Sequence, residues 1–347
     1  MIKTSYAVFP ERPQQACISC VVPAFNESAH LPAFLEDLQC TLGTLGATYE
    51  IIVINDGSSD ATDEVMRAYA SQPGIRYLSL SRNFGKEAAL TAGIDCARGD
   101  AVILMDADYQ HPLELLPQMV NLWRAGYDMV YGVIADRREE SLGKRWGTNL
   151  FYLLMELGTS INIPRNAGDF RLMDRRVVAA LRQLSERDRF MKGLYAWVGF
   201  NSVALPFTPN ERATGISSFG LRNLSRLALS GLTAFTTLPL RIWSAAGAVI
   251  SFIALGYALD IVVDTLLFGN PTAGWSTLAV GLMFFSGVQL ISIGILGEYI
   301  GRIYDEVKRR PLYLVAQDVD NGLAIVANAS ADSATQRQHS RSDDAHS

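Results

Sequence analysis

Two carboxylates set two residues apart, Asp106 and Asp108, close a run of five apolar residues, Ala101 to Met105. The run reads as a buried strand, and its abrupt end in acid puts both groups where a parallel sheet presents its strand C-termini. Open α/β sheets bind ligands along that edge. Gln110 adds a neutral oxygen two residues further on. Such an oxygen set suits a hard cation, Mg²⁺ or Mn²⁺, of the kind that bridges protein carboxylates to a diphosphate. A solvated turn would carry the same residue types, so the surroundings decide. Arg82 and Lys86, which precede or open a helix, are candidates to hold phosphates.

The elements that must position these groups alternate. Ile18 to Pro23 reads as a strand, followed by a helix from about His30 to Leu45. Tyr49 to Asp56 is a second strand, and the turn Asp56-Gly-Ser-Ser-Asp60 offers side chains to cap a helix beginning near Ala61. Ile75 to Leu80 is a third, and Ser81 to Glu87 leads into a helix through Ala97. After the acidic strand come a helix opened by Pro112 and a fifth strand, Met129 to Ile134. This alternation predicts an α/β, doubly wound, mostly parallel sheet with its site at the strand C-termini. Pro23, Asp56, Arg82 and Asp106 all fall there.

Other classes are excluded by what is missing. No G-x-G-x-x-G follows the first strand, and Gly215 to Gly220 has P-loop glycine spacing but is followed by Leu221-Arg222 instead of Lys-Ser/Thr. A net charge of −5 argues against nucleic acid as a partner. Cys17 and Cys20 form a C-x-x-C inside a strand, where positions i and i+3 face opposite sides, so neither zinc nor a disulfide framework is expected. Met1 to Gln15 lacks the apolar core of a signal peptide, and secretion is not expected.

The chain is 49% hydrophobic and only 19% charged, with the excess between Leu240 and Ile300. Ala245 to Phe268 and Trp275 to Leu296 are each long enough to span a bilayer. The loop between them, Gly269 to Gly274, has no Lys or Arg, whereas the flanks carry Arg222, Arg226, Arg241, Arg302, Lys308, Arg309 and Arg310. The positive-inside rule therefore puts the N-terminal domain and both termini in the cytoplasm. Asp260 and Asp264 fall near the outer interface and are expected to reach water there. The expected division is a catalytic domain over 1–217, an amphipathic interfacial segment over 218–243, two transmembrane helices over 244–300, a juxtamembrane segment over 301–316 and a disordered tail over 317–347. Gly297-x-x-x-Gly301 would let helices pack closely, as in a homo-oligomer.

Val22-Pro-Ala-Phe-Asn-Glu27, Asn55-Asp-Gly-Ser-Ser-Asp60, Ser81-Arg-Asn-Phe-Gly-Lys86 and Asp106-Ala-Asp-Tyr-Gln-His-Pro112 occur in the order of family 2 glycosyltransferases of the GT-A fold, which this chain resembles. Gly168-Asp-Phe-Arg-Leu-Met-Asp174, Lys192 to Phe200, Arg212 to Phe219 and Gly297 to Tyr304 narrow the likeness to bacterial polyprenyl-phosphate glycosyltransferases, relatives of dolichol-phosphate mannose synthase. The likeness runs from about Ile18 to Leu314.

The resemblance implies transfer of one sugar, with inversion, from a nucleotide-sugar donor (UDP-linked by expectation) to a polyprenyl phosphate such as undecaprenyl phosphate, at the cytoplasmic face of the bacterial inner membrane. A flippase and a further glycosyltransferase would act downstream. Pro23, Ala24, Glu27 and Asp56 would hold the donor's base and ribose, and Asp106, Asp108 and Gln110 the metal. Asp169 is the family's general-base candidate. A phosphate monoester has a second pKa of about 6 and needs little deprotonation near neutral pH. Asp169 would then orient the acceptor site, by fixing Arg171 or Arg212. Arg212 and Ser217 would strap the two sets of phosphates, the work for which Arg is best shaped. Relatives often carry Arg where this chain has Ile134, a contact Arg137 would replace, with Arg138 as a further candidate. Two other readings stand beside this one. A processive synthase of the same fold would need Gln-x-x-Arg-Trp, but Leu142 stands where Gln is required before Arg145-Trp146. A non-catalytic lipid-carrier subunit would have no use for the acidic set.

Overall fold

A computed structural model describes residues 12–135, 167–209 and 274–324 apart from 14 and 188, together with residue 164 and scattered positions between 247 and 267. The first strand, β1 (Cys17–Ala24), is an almost wholly buried run with parallel neighbours on both sides. They are β2 (Thr48–Asn55) and β4 (Ala101–Leu104), and β3 (Ile75–Leu80) continues the parallel block beyond β2. Between these strands lie α1 (Leu31–Thr44), α2 (Thr62–Tyr69) and α3 (Lys86–Cys96). A 3₁₀ turn over Leu113–Leu115 then leads into α4 (Leu116–Arg124), so Pro112 opens the 3₁₀ turn and not the α-helix itself.

β5 (Met129–Ile134) forms as expected but does not sit beside β4. An unforeseen strand, β6 (Ala167–Asp174), inserts antiparallel between β4 and β5. It is followed by α5 (Arg175–Gln183), whose first turn is capped by Asp174, and by α6 (Met191–Trp197). β7 (Ser202–Phe207) then pairs parallel with β5. The sheet order is β7-β5-β6-β4-β1-β2-β3-β8, where β8 is the last strand, Val315–Asp320. Six of the eight strands run the same way, as expected of a mostly parallel sheet, and β6 and β8 run against them.

Alternation along the strands builds a core on each face. Cys20, Val22, Ile51 and Val53 pack with Phe34 of α1, Met66 of α2 and Trp123 of α4. Val21, Ile52 and Ile54 face Leu90 of α3, Val177 of α5 and Met191 of α6. The four cysteines are unpaired, as expected.

The last strand corrects the sequence reading. Residues from Gln317 were expected to be disordered, but β8 (Val315–Asp320) pairs antiparallel with β3 at the sheet edge. Arg76 holds Asp318 through two bonds of 3.0 and 2.8 Å, and Arg98 joins Asp320 to the fully buried Glu50. Charge pairing of this kind offsets the low apolarity that made the segment look unstructured. β8 is reached from α7 (Trp275–Lys308), a helix of 34 residues that ends in a left-handed Arg309. Counting described residues only, no helix is long and apolar enough to cross a membrane. The interfacial segment 218–243 and most of the first expected span lie outside the described residues. On α7, Leu278, Leu282, Phe285, Leu290, Ile293 and Leu296 are exposed.

Candidate active site

The ends of β1, β2, β3 and β4 meet at one edge, and loops gripping one another shape it. Asp56, just past β2, donates its N–H to Ala24 O (2.9 Å). Its buried carboxylate accepts from the N–H groups of Phe84 (2.7 Å) and Gly85 (2.9 Å), fixing the loop that follows β3. Burial pushes this carboxyl up from its ordinary pKa, with the two N–H bonds and Arg82 opposing. Gly57 (φ +65°) makes the close approach possible, because a Cβ there would stand 2.4 Å from the backbone carbon of Arg82. Asn26, Ser58 and Ser59 tie the loops after β1 and β2 together, and Asp60 receives the N–H groups of Ser28 and Thr62. The capping expected of the 56–60 turn is thus performed by Asp60.

The gripped loop delivers Lys86, the first residue of α3, to the centre of the site. Its Nζ lies 2.7 Å from Asp106 and 3.3 Å from Asp169. Desolvation works against this ammonium, yet the two carboxylates outweigh it and raise its pKa. Asp169 comes from β6, whose antiparallel run brings its first residues beside the C-terminal end of β4, with Leu104 opposite Arg171. Burial disfavours its charge, but Lys86, Lys192 and Arg171 prevail and hold its carboxyl below the ordinary range. The expected pairing of Asp169 with Arg171 is not formed. Arg171 donates instead to Gly168 O (2.6 Å) and lies over the Tyr195 ring, while Asp169 pairs with Lys86.

His111 accepts the Asp106 N–H at Nδ1 (3.0 Å) and stacks on Phe170. Its pKa is lowered, chiefly by burial, which agrees with the neutral ring that an accepting Nδ1 requires. Asp108 accepts the Gln110 N–H (3.1 Å), and Tyr109, at φ +60°, anchors the turn by donating to Asp37 (2.8 Å). Burial and the charges of Asp108 and Asp106 raise Glu27. Three mutually unfavourable acids are a fit setting for a cation. Among the described residues, however, no three His, Cys, Asp or Glu groups converge to hold one. Two carboxylates plus Gln110 match the sparse protein ligation of Mg²⁺, which takes its remaining oxygens from substrate phosphates and water.

Of the expected site residues, Asp106, Lys86 and Asp169 come together in direct contact. Asp108 and Gln110 share the adjoining turn, and Glu27, Ala24 and Pro23 lie at the end of β1 and just beyond it. Arg82 is turned aside, exposed, with its guanidinium over the Phe84 ring (4.0 Å). Arg212 and Ser217, like Arg137 and Arg138, lie outside the described residues. Sequence reasoning gave no role to His111, Glu87, Lys192 or Tyr195. Lys192 and Tyr195 carry no signal in the sequence beyond their place in the family-like segment Lys192 to Phe200.

Residues 19–182 match the model of glycosyl transferase family 2. An uncharacterized glycosyltransferase of Synechocystis is 46% identical over 300 residues, covering 86% of this chain and 94% of that protein. The prophage-derived bactoprenol glucosyl transferase of Shigella flexneri is also 46% identical, over 86% of this chain and 97% of its own length. This chain belongs to glycosyl transferase family 2. The bactoprenol glucosyl transferase of Shigella phage SfV is 45% identical over 87% of this family 2 chain and 98% of its own length. Mannosyl-3-phosphoglycerate synthase of Rubrobacter xylanophilus shares 18% identity at a TM-score of 0.43, over 69% of this chain and 80% of that one. The family 2 match and the bactoprenol glucosyl transferase relatives bear out the motif-based resemblance.

Proposed function

We propose that this family 2 enzyme moves a single sugar, with inversion, from a nucleotide diphosphate donor to a polyprenyl phosphate at the cytoplasmic face of the membrane. The observation that carries this is the meeting of Lys86, Asp106 and Asp169 at the sheet edge, one cation between two acids drawn from different strands. The names of the Shigella relatives support the acceptor and make glucose the first sugar to test. The apolar side chains standing exposed along α7 fit a protein held at a bilayer, where a long isoprenoid must stay. On this reading residues 244–300 form a two-helix hairpin with the catalytic domain on the cytoplasmic side.

Asp106, Asp108 and Gln110 would hold Mg²⁺ or Mn²⁺, which supplies charge neutralisation for the leaving diphosphate. Lys86, the fixed cation beside Asp106, stabilises negative charge on the same leaving group. Asp56 holds the loop that carries Lys86, and the end of β1 with Glu27 borders the donor's nucleoside. Asp169 keeps Lys86 from collapsing wholly onto Asp106. Arg212 and Ser217 would strap the phosphates.

The test is incubation of the purified full-length protein with undecaprenyl phosphate and a panel of nucleotide sugars, with mass spectrometry of the lipid product. A lipid bearing one sugar is the expected result. A ladder of sugars would instead indicate a processive synthase. No glycolipid from any donor, with the protein folded, would overturn the proposal.

A further inference from the structure

A second polar chamber lies beyond Asp169, on the α3/α6 face of the sheet. It is a cavity of about 180 Å³ between β5, β6 and α6, lined on its polar side by Arg171, Lys192 and Tyr195 and elsewhere by Tyr131, Ala196 and Phe200 among others. That is room for several waters and so for a phosphate group. No carboxylate is among the described lining residues.

The chemistry of its walls is unbalanced in one direction. Arg171 is 3% exposed, and no carboxylate lies within ion-pair distance of it among the described residues. Its Nη2 serves Gly168 O, its Nη1 finds only Met129 Sδ at 3.5 Å, and its Nε is buried with no partner. The Tyr195 hydroxyl is likewise buried and unpartnered. A buried guanidinium and phenol with donors to spare are costly unless something accepts from them. Lys192 adds a second positive charge. Nearby, burial first and then Asp169 push the Glu87 carboxyl up. Neither Glu87 nor the ionised Asp169 lines the chamber, so no acid meets an anion placed there. Asp169 and Arg171, two residues apart on one face of β6, place the chamber next to the reacting groups.

We propose that this chamber is a phosphate-monoester site and that it seats the acceptor's phosphate, with Arg171 and Lys192 supplying charge and Tyr195 a hydrogen bond. The acceptor assignment rests on the proposed function; the anion site does not. The apolar walls of Tyr131, Ala196 and Phe200 suit the first carbons of a prenyl ester. The two arms of a test separate a lipid phosphate from a free one.

Tyr195→Phe removes one hydroxyl at nearly constant volume, and Lys192→Gln removes a charge from a half-buried side chain, so both should fold. The first arm measures KM for undecaprenyl phosphate and for the nucleotide sugar. Each variant should raise the lipid KM about tenfold, the worth of one hydrogen bond to a charged group, and leave the donor KM unchanged. The second arm measures the melting temperature of the full-length protein with millimolar inorganic phosphate. Phosphate should raise it in the wild type, and the rise should shrink in both variants. A raised donor KM with an unchanged lipid KM would give the chamber to the donor diphosphate and overturn the assignment. So would loss of the phosphate effect with both KM values intact, which would mark a site for free phosphate only. If no measurement moves, the chamber is not an anion site. If the wild type makes no glycolipid, the proposed function fails, and the phosphate arm still decides whether the chamber binds anions.

Discussion

Asp169→Asn separates two roles that a carboxylate in this position can have, and the structure sets the size of each. The substitution removes one charge 3.3 Å from Lys86 Nζ and keeps the shape of the side chain. Two unit charges at that distance interact by ~1.3 kcal/mol in bulk water and ~5 kcal/mol at an effective dielectric of 20. The Lys86 side chain is 45% exposed and keeps Asp106 as a partner, so the lower end applies. A loss of ~1–2 kcal/mol corresponds to a fall of roughly 5- to 30-fold in rate if Asp169 only positions Lys86. Loss of a general base would cost about 10²- to 10⁴-fold. The assay is kcat against pH with saturating lipid for wild type and variant. The expected result is the smaller fall, with the acid limb at the same pH, because on the proposed function that limb belongs to the phosphate of the acceptor. A fall beyond about 10³-fold together with disappearance of the acid limb would make Asp169 the base and refute the reasoning. Stability offers an independent check. The folded-state pKa of Asp169 is lowered, so its contribution is present above the unfolded pKa of about 3.9 and lost as pH falls through the folded value. At pH 7 the variant should therefore melt a few degrees lower, and the difference should vanish in strong acid.

Asp108→Asn should keep the fold and cut turnover by orders of magnitude; wild-type activity that survives excess EDTA would exclude the metal role. Because the pKa of His111 is lowered, its neutral form stabilises the fold above about pH 6.5 and that share is lost as pH falls. His111→Phe should flatten the melting temperature between pH 7 and 5, and an unchanged slope would remove His111 as the cause. Asp318→Ala breaks the two bonds from Arg76 that hold β8, and should speed hydrogen exchange along β3 and β8 without altering the donor KM; unchanged exchange would mean the pair contributes nothing. A cysteine at Thr272 should react with an impermeant thiol reagent outside intact cells while one in the tail stays protected, and the reverse pattern would invert the proposed topology.

What could be read from sequence was whatever depends on local pattern. The five parallel-type strands and the helices between them follow from apolar runs and their punctuation, and the acids at strand ends follow with them. β6 was missed because Gly168-Asp-Phe-Arg-Leu-Met mixes charge with apolar residues. Its Asp169 and Arg171 interrupt the apolar run and meet Lys86 and the Tyr195 ring instead of a hydrophobic core. β8 was missed for a related reason, since Val315-Ala-Gln-Asp-Val-Asp320 becomes a strand only when Arg76 and Arg98 meet its acids. Asp56 has a second task that the sequence did not show. A carboxylate at a strand end reads as a ligand group, and only the fold shows both of its oxygens accepting loop N–H groups.

On the proposed function, the antiparallel insertion of β6 is what would let one sheet edge serve two anionic substrates. In a purely parallel sheet the strand beside β4 would offer its own C-terminal end to that edge. Its first residues would then lie on the opposite side of the molecule. Running backwards, β6 presents Asp169 at its beginning, level with the end of β4, and Arg171 one pleat deeper. One strand thereby reaches Lys86 at the rim and the Arg171–Tyr195 chamber below it. Lys86 itself is held from the other flank, through the loop that Asp56 grips. The position of a single ammonium thus depends on β2, β3, β4 and β6 together. A change at any of the four should be felt first at Lys86, in the affinity for phosphates, before the fold as a whole gives way.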